Sequence, residues 1–385
     1  SLTWEKSTTY DVGLDLDFFN NRLSVSGDYY RRYTTDMYTA SVALPAVYGT
    51  GSPKGNNAEM KTDGWELSLS WRDSFKLGGK PFDYSIKAMV WDSKSVITKY
   101  VNDTGSLGTV KGFIENGGSP SSYYVGMTVG EIWGYTVAGL FRDQADIDSS
   151  AIHDFVQASD KVTRPGQVKI ADLDGNGFID PGNFAVDDHG DLRIIGNQSP
   201  RYRYGVNLSA RWNGIGLSVF LQGVGARDWY PGSDAGMFWG KYGRPFFALI
   251  PSIHNYTDDM YSAERNNWDT AYWPRMTTYQ SNGTKNWTRL LEIPNTRYIQ
   301  SAAYLRVKNI QLDYSFPKHI CSAIRLQGLK IYVNAENLFT FTPLHKYAPN
   351  FDPEGLSYDS DFASAADGYT YPILKSVTVG VNITF

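Results

Sequence analysis

Residues 172–180 carry side chains of the types, and at the spacing, of a calcium-binding loop. With Asp172 as position 1, oxygen-bearing side chains stand at positions 1, 3, 5 and 9, in Asp172, Asp174, Asn176 and Asp180, and a glycine stands at position 6. A hard cation takes carboxylate, amide and backbone oxygens, and Phe178 at position 7 would supply its carbonyl. The sequence therefore predicts a Ca²⁺ site formed by these five residues.

Two interpretations of this loop stay open. Position 12 is Asn183, where calcium loops usually carry a bidentate glutamate, and the loss weakens the affinity or the geometry of the site. Flanking helices are not evident, so the loop would stand alone. The alternative is a turn rich in Asp, Asn and Gly that is held by hydrogen bonds from side chains to the backbone. Under either interpretation the loop stiffens an external connection.

A second candidate site is the long segment 225–300, which is crowded with aromatic residues among Asp, Arg and Asn. Aromatic faces next to hydrogen-bonding groups suit sugar rings, peptide side chains or a lipoprotein lid. The alternative, favoured for most of these residues, is that they pack the segment against itself, because a long ordered loop needs a small core of its own. The candidate substrate- or partner-binding residues are Trp229, Tyr230, Trp239, Tyr242, Trp268 and Trp273.

Signals for catalysis and for nucleic-acid binding are absent from the sequence. It contains no H-E-x-x-H, no G-x-S-x-G and no phosphate-cradling glycine loop, and its five histidines are scattered. The formal net charge is -4, which does not favour a nucleic acid as partner. The single cysteine, Cys321, cannot form an intramolecular disulfide. We therefore predict neither an enzyme nor a nucleic-acid-binding protein.

The elements that must position these loops are strands, and the last residues of the chain show this most clearly. Val377, Val379, Val381, Ile383 and Phe385 alternate with small polar residues. A period of two indicates a β-strand with one apolar and one polar face. A strand of this kind that ends on an aromatic residue is typical of an outer-membrane β-barrel, where the apolar face meets lipid and the polar face meets a wet lumen.

The same alternation recurs along the chain. In the strand that contains Leu14, the face opposite the apolar residues carries Asp11, Asp15 and Asp17. The core of a soluble protein would not accept three carboxylates on one face. Aromatic residues bracket the apolar rows, as the interfacial girdles of a barrel do. The alternation predicts nine strands, with a tenth possible, in an all-β antiparallel transmembrane barrel: 10–18, 23–38, 65–71, 82–91, 204–212, 217–221, 310–316, 329–339 and 372–385.

Connection lengths predict the orientation of the strands. The turns after Phe18, Trp71, Trp212 and Phe316 are short or moderate, whereas the opposite ends carry long segments near 39–60, 93–200, 225–300 and 342–371. Barrels of this kind place short turns in the periplasm and long loops outside the cell. The final strand is therefore expected to run inward. Because single-chain bacterial barrels normally have an even number of strands, the odd count predicts a portion of a larger barrel.

Several short motifs resemble a known family, the SusC/RagA-type TonB-dependent transporters of Bacteroidota. They follow the order of the family over nearly the whole chain, and no single motif decides the resemblance. The motifs are Trp4-Glu5-Lys6-Ser7-Thr8, Gly13-Leu14-Asp15, Asn21-Arg22-Leu23, Asp28-Tyr29-Tyr30, Gly134-Tyr135, Gly139-Leu140-Phe141, Asp172-Leu173-Asp174-Gly175-Asn176-Gly177, Ile195-Gly196-Asn197 with Pro200, Tyr304-Leu305-Arg306-Val307-Lys308-Asn309, and Asn337-Leu338-Phe339-Thr340.

The resemblance implies a plugged barrel of about 22 strands in the bacterial outer membrane. It implies import of oligosaccharides or peptides, a SusD-like surface lipoprotein as partner, and energy passed on by TonB. Residues 1–385 would be the carboxyl-terminal part of the barrel, with the plug and the amino-terminal strands outside this chain. The further expected partners are the remainder of the barrel and outer-membrane lipid.

Two rival functions are compatible with parts of the sequence. A secreted β-sandwich that binds glycans would also carry aromatic loops, but it predicts short strands and solubility without detergent. A SusC-like barrel could instead act as a scaffold in an envelope assembly. Uptake of solute by cells that carry the intact protein would separate transport from scaffolding.

Overall fold

The computed structural model describes residues 2–40, 47, 49, 53–102, 105–108, 123–153, 163–231, 238, 259–275, 293–356 and 373–385. Strands dominate this part of the chain. They are β1 Lys6–Phe18, β2 Leu23–Ala40, β3 Lys54–Leu77, β4 Lys80–Lys99, β5 Glu131–Tyr135, β6 Val137–Leu140, β7 Val168–Ile170, β8 Leu192–Asn197, β9 Arg201–Trp212, β10 Ile215–Ala226, β11 Asp228–Trp229, β12 Gln300–Ser301, β13 Tyr304–Ser315, β14 Gly328–Phe341 and β15 Ser376–Thr384.

Helical segments are few and short. They comprise the α-helices Gln144–Asp148 and Lys318–Ala323 and the 3-10 helix Pro343–Lys346. Among the described residues, none of the helices has both the length and the apolar character needed to cross a membrane.

Nine strands form one antiparallel sheet in the order β1-β2-β3-β4-β9-β10-β13-β14-β15. Each is paired with its neighbour in the chain, except that β4 pairs with β9 across the long connection between them and β10 pairs with β13 across another. These are the nine strands that the alternation predicts, so the all-β antiparallel prediction is confirmed. A single large sheet with an exposed apolar face is not a β-sandwich, and the rival fold is therefore wrong.

The two faces of the sheet differ as the sequence predicts. Leu14 on β1 and Val379 on β15 are 62% and 74% exposed although both side chains are apolar. Along a strand, successive side chains point to opposite faces, so the polar partners such as Asp15 and Thr378 lie on the other side. The apolar face suits contact with acyl chains and the polar face suits a wet lumen.

Strands β3 and β4 are longer than the sequence predicts. They contain 24 and 20 residues, whereas the alternation indicates 65–71 and 82–91. In residues 54–63 of β3, polar side chains stand on both faces, so the period of two that identifies a half-apolar strand is lost. As a result the predicted connection 39–60 is shorter, and the turn expected soon after Trp71 lies at Gly78–Gly79 instead.

All the short connections lie at one end of the sheet. One of them is the Asn213-Gly214 turn, whose two residues have φ of 49° and 86°. Both values lie in the left-handed region, which a two-residue hairpin turn of this type requires and which Asn and Gly adopt most readily. The long connections lie at the opposite end, where they contain the small sheets β5–β8, β6–β7 and β11–β12.

Candidate functional site

The long connections fold together into one packed unit, which we call the loop body. It consists of residues 123–153, 163–200, 227–231, 259–275, 293–303 and 342–356. Its core contains fully buried aromatic side chains that come from different connections. Trp273 packs against Phe238 at 5.2 Å between ring centroids, and Trp229 packs against Phe351 at 5.0 Å. Rings of this size supply the apolar burial that holds ordered loops in place.

Three contacts show how the connections are joined. The rings of Tyr272 and Tyr347 stack at 3.6 Å between centroids and 4° between planes. The Tyr135 backbone N–H donates to the Pro294 carbonyl at 2.9 Å. At Gly134 an added Cβ would lie 2.1 Å from that same Pro294 oxygen, so only glycine allows the two chains to approach this closely. The Gly134-Tyr135 motif is therefore a packing requirement of the loop body.

The aromatic candidates for ligand binding are mostly part of this core. Trp229, Tyr230 and Trp273 are at most 4% exposed, and the Tyr230 hydroxyl accepts a hydrogen bond from the Asn295 amide at 2.8 Å. Trp268 is half-buried and packs against the edge of the core. Trp239 and Tyr242 lie outside the described residues. The burial fits the packing interpretation, and a role of these residues in ligand binding stays a prediction.

A buried cluster of charges ties the loop body to the sheet. The Arg306 guanidinium on β13 is 3% exposed and contacts Asp352 and Glu354, each at 2.6 Å. Glu354 also accepts hydrogen bonds from Lys308 at 2.8 Å and from the Tyr304 hydroxyl at 2.9 Å. We call these five residues the Arg306 cluster. Charged hydrogen bonds of this length are the strong ones, so the cluster fixes the segment that follows the 3-10 helix.

The Arg227 side chain, just after β10, binds the backbone of the same segment. Its guanidinium donates to the carbonyls of Pro353 and Leu356 at 2.7 and 2.6 Å. The side chain is 4% exposed. Arg306 on β13 and Arg227, which follows the neighbouring strand β10, therefore both hold residues 352–356 in place.

The Asp172 loop is ordered by bonds between its carboxylates and its own backbone. Asp172 accepts from the N–H groups of Gly175 and Gly177 at 2.7 and 2.9 Å, and these bonds lower the pKa of its carboxyl. The Asp174 carboxylate accepts from the Asn176 N–H at 3.0 Å. Such bonds are expected both of a polar turn and of a loop shaped for a cation.

A carboxylate that the sequence pattern did not include joins this loop. Asp191 is fully buried and accepts from the N–H groups of Leu173 and Asp180 at 2.6 and 3.0 Å. Ligand atoms of Asp172, Asp174 and Asp191 lie within 4.8 Å of one another. Burial raises the pKa of the Asp191 carboxyl. Asp191 lies beyond the expected loop in sequence, so no local spacing points to it.

Two of the predicted calcium ligands, Asn176 and Asp180, are not arranged to bind a cation. The Asn176 side chain directs its amide nitrogen at Asp174 and Asp180, at 3.2 and 3.0 Å, and its oxygen accepts from the Phe178 N–H. The nitrogen thus occupies the place between two carboxylates that a cation would take. Coordination by Asn176 and Asp180 would require this amide to rotate, whereas the trio of Asp172, Asp174 and Asp191 needs no such change.

A buried histidine lies close to this loop and is neutral. The His153 Nε2 accepts a hydrogen bond from the Ile170 N–H at 3.0 Å, and its ring packs against Phe141 at 5.3 Å. Burial lowers the pKa of His153 to about 4. The imidazole is therefore uncharged near neutral pH and serves to connect two segments of the loop body.

The polar face of the large sheet contains a groove near the short turns. Its volume is about 670 Å³, and its lining includes Arg72, Asp83, Arg211 and Asp313. The Asp313 carboxylate lies between Arg211 at 3.6 Å and Lys330 at 3.3 Å. Opposite charges that alternate across the strands make this face polar, as the inner wall of a water-filled barrel requires.

Comparison with known proteins identifies the architecture. Residues 1–187 match the family described as TonB dependent receptor-like, beta-barrel. These residues therefore resemble the β-barrel of a TonB-dependent receptor. Across its whole length it is 26% identical to TonB-dependent receptor P3 of Formosa agariphila and 24% identical to TonB-dependent receptor SusC of Bacteroides thetaiotaomicron. The resemblance drawn from the short motifs is confirmed.

Solved structures share the fold of this chain. All of the chain aligns with the RagAB peptide transporter at a TM-score of 0.64 and 19% identity, and with the open-open state of the RagAB peptide importer at 0.65 and 20%. It covers 35% of each of those chains. It likewise spans about a third of the curated relatives, namely 34% of receptor P3 and 32% of SusC. The apolar face of this sheet is the side that meets lipid in an outer-membrane β-barrel, as the sequence predicts.

Proposed function

We propose that this chain forms part of the wall and the extracellular entrance of an outer-membrane importer for oligosaccharides or peptides. The observation that carries the proposal is the combination of a lipid-facing sheet, a polar inner face and a packed loop body at one end only. Such an arrangement suits a solute path that is open to water inside and shaped at its entrance. The RagAB structures, which are described as a peptide transporter and importer, support a peptide as one substrate class.

The proposal includes partners. A SusD-like lipoprotein would cover the loop body, a plug would fill the lumen, and TonB would act on the plug from the periplasmic side. Support comes from the relatives, because the TonB-dependent receptors P3 and SusC align with this chain over its whole length. The loop body offers a rigid platform for a lipoprotein because its aromatic residues are packed internally. A scaffold for envelope assembly is the second candidate function.

Uptake measurements on cells that carry the full-length receptor test the proposal. Labelled oligosaccharides and labelled peptides are supplied to cells with the intact receptor, cells that lack the receptor, cells with a plug-deleted receptor and cells without TonB. Import predicts that uptake of at least one class depends on the intact receptor and on TonB. Uptake of both classes that is unchanged by loss of the receptor would contradict import, and a defect in envelope composition in the same cells would then favour the scaffold.

We further propose that the Asp172 loop binds Ca²⁺ through Asp172, Asp174 and Asp191. The support is that one carboxylate oxygen from each of these three residues lies within 4.8 Å of the others. Three negative charges this close repel one another, and a bound cation would remove the repulsion. The predicted ligands Asn176, Phe178 and Asp180 would join after rotation of the Asn176 amide. The ion would stiffen the loop body and would take no part in chemistry.

Calcium is therefore expected to stabilise the wild-type loop body. At a free concentration about 100 times Kd, the gain is about 2.7 kcal/mol. Thermal unfolding and proteolysis of the loop body are followed with excess Ca²⁺ and with chelator. The calcium-dependent shift should disappear in Asp172→Asn and persist in Asp187→Asn, which changes an exposed carboxylate nearby. A wild-type protein whose stability does not respond to Ca²⁺ would remove the metal site.

A further inference from the structure

The apolar face of the sheet ends, on the side of the loop body, in a group of charged residues. Arg31 on β2, Lys61 and Asp63 on β3, and Lys94 on β4 share the parity of Val25, Leu67 and Val90 in the same strands. In the sheet register, Arg31 lies opposite Asp63, and Asp63 lies opposite Lys94. We call these four residues the outer cation group. Because strand parity fixes the face, they point towards the membrane side and away from the lumen.

The outer cation group lies at the level of lipid headgroups. Tyr10 on β1 is in register with Arg31. From Tyr10 to Phe18, and likewise from Tyr204 to Trp212, is eight residues, which corresponds to about 26 Å along a strand. At the usual strand tilt of about 35–45° this is roughly 20 Å of height, so the aromatics bracket most of the roughly 25 Å apolar band of outer-membrane barrels. The cations therefore stand where the apolar band gives way to headgroups, on the extracellular side.

The group carries more positive than negative charge. Arg31 Nε contacts Asp63 at 2.5 Å and Lys61 Nζ contacts it at 3.2 Å. Lys94 is exposed, and no carboxylate lies within ion-pair distance of it in the part of the chain that the structure describes. The neighbouring Asp92, on the same face of β4, is paired one to one with Arg201 at 2.5 Å, so within the group itself one carboxylate faces three cations. By contrast, the pairs Lys6–Asp36 and Lys99–Glu59 nearby are balanced one to one.

The exposed nitrogen atoms of the cations in this group suit a phosphate. Arg31 uses Nε on Asp63, and its Nη2 lies 3.5 Å from the Tyr29 hydroxyl. The side chains of Arg31 and Lys61 are 41% and 31% exposed. Guanidinium and ammonium groups are the usual ligands of phosphate oxygens. An acyl chain attached to the same molecule could lie against Val25 and Leu67 below.

We infer that the outer cation group binds the phosphate of a phosphorylated glycolipid in the outer leaflet of the membrane. A lipid is favoured over a free anion because the side chains that follow on this face of β2 and β3, namely Tyr29, Trp65 and Leu67, are aromatic or apolar. The inference rests on the outer-membrane location of the sheet and does not depend on what the receptor imports. Bound glycolipid would hold β2, β3 and β4 beneath the loop body.

Lipid retention by the purified full-length receptor tests the inference. The triple variant Arg31→Gln, Lys61→Gln, Lys94→Gln leaves Asp63 and reverses the charge of the group. The matched control, Lys76→Gln, Lys80→Gln, Lys318→Gln, removes three exposed cations at the end of the sheet that has the short turns. Both are compared in detergent by native mass spectrometry, with phosphorylated lipid A, dephosphorylated lipid A or inorganic phosphate as probe.

Each cation near an anionic surface is worth roughly fivefold in affinity, so the triple variant should lose on the order of 100-fold for phosphorylated lipid A. The control should bind like wild type, and dephosphorylated lipid A should not distinguish the variants. Asp63→Asn, which raises the charge of the group, should bind more tightly. Equal retention in all variants would overturn the inference, as would inorganic phosphate that binds as tightly as lipid A. Heat-dependent migration in gels verifies that each barrel is folded.

Discussion

Trp273→Ala is expected to unfold the loop body while the nine-stranded sheet stays folded. The Trp273 side chain is fully buried, packs at 5.2 Å against Phe238 and stacks at 5.6 Å on Tyr298. Replacing a buried tryptophan by alanine costs about 3 to 5 kcal/mol through lost contacts and the cavity that remains. Because the strands are held by their own ladders, the loss should be confined to the loop body. Hydrogen exchange of its amides in the full-length receptor measures the effect.

Trp268→Ala is the matched control for this prediction. Trp268 is half-buried at the edge of the same core, so its removal should raise amide exchange far less. The pair of variants also separates packing from ligand contact. If Trp273→Ala left amide exchange unchanged and abolished uptake of solute, the side chain would be a ligand contact, and the packing role assigned to it would be wrong.

The sheet could be predicted from the sequence because the environment sorts its residues by parity. Lipid accepts only apolar side chains and the lumen only polar ones, so Val379 and its neighbours alternate strictly along β15. That rule fails where a strand leaves the membrane. Residues 54–63 of β3 carry polar side chains on both faces and show no period of two, so the sequence indicates the strand only from Trp65 onwards.

The loop body could be anticipated only in part. The need for a small internal core follows from loop length, and it correctly favours burial of residues such as Trp229. The partners of that residue, Phe238 and Phe351, come from positions 9 and 122 residues further along the chain. No local periodicity reports such contacts. The contacts between aromatic residues depend on how strands β9 to β14 bring the connections together.

The Asp172 loop shows the same limit at the scale of a single site. Spacing within residues 172–180 identifies the carboxylates that the turn itself brings together. Asp191 reaches them because its segment turns back and receives the N–H groups of Leu173 and Asp180. A ligand contributed by a returning segment has no fixed offset in sequence, so motif spacing names Asp180 and omits Asp191.

Arg306→Met is expected to release residues 352–356 from the sheet and to destabilise the loop body by about 3 to 5 kcal/mol. The guanidinium is the main counter-charge of the Arg306 cluster, and it also donates to the Thr340 hydroxyl at 2.9 Å. Methionine keeps the apolar stem and removes the charge, which leaves the Asp352 carboxylate, only 12% exposed, with no cation beside it among its described contacts. Amide exchange over residues 342–356 should rise.

A second substitution shows whether charge or packing is responsible. In Arg306→Met, Asp352→Asn the stranded carboxylate is neutralised, while Glu354 keeps its contact with Lys308 at 2.8 Å. Most of the penalty of a broken buried pair comes from the charge left behind, so the double variant should be more stable than Arg306→Met alone. Lys6→Met, which breaks an exposed pair with Asp36, should leave exchange of this segment unchanged. If the double variant were as unstable as the single one, the cluster would act through shape and not through its charges.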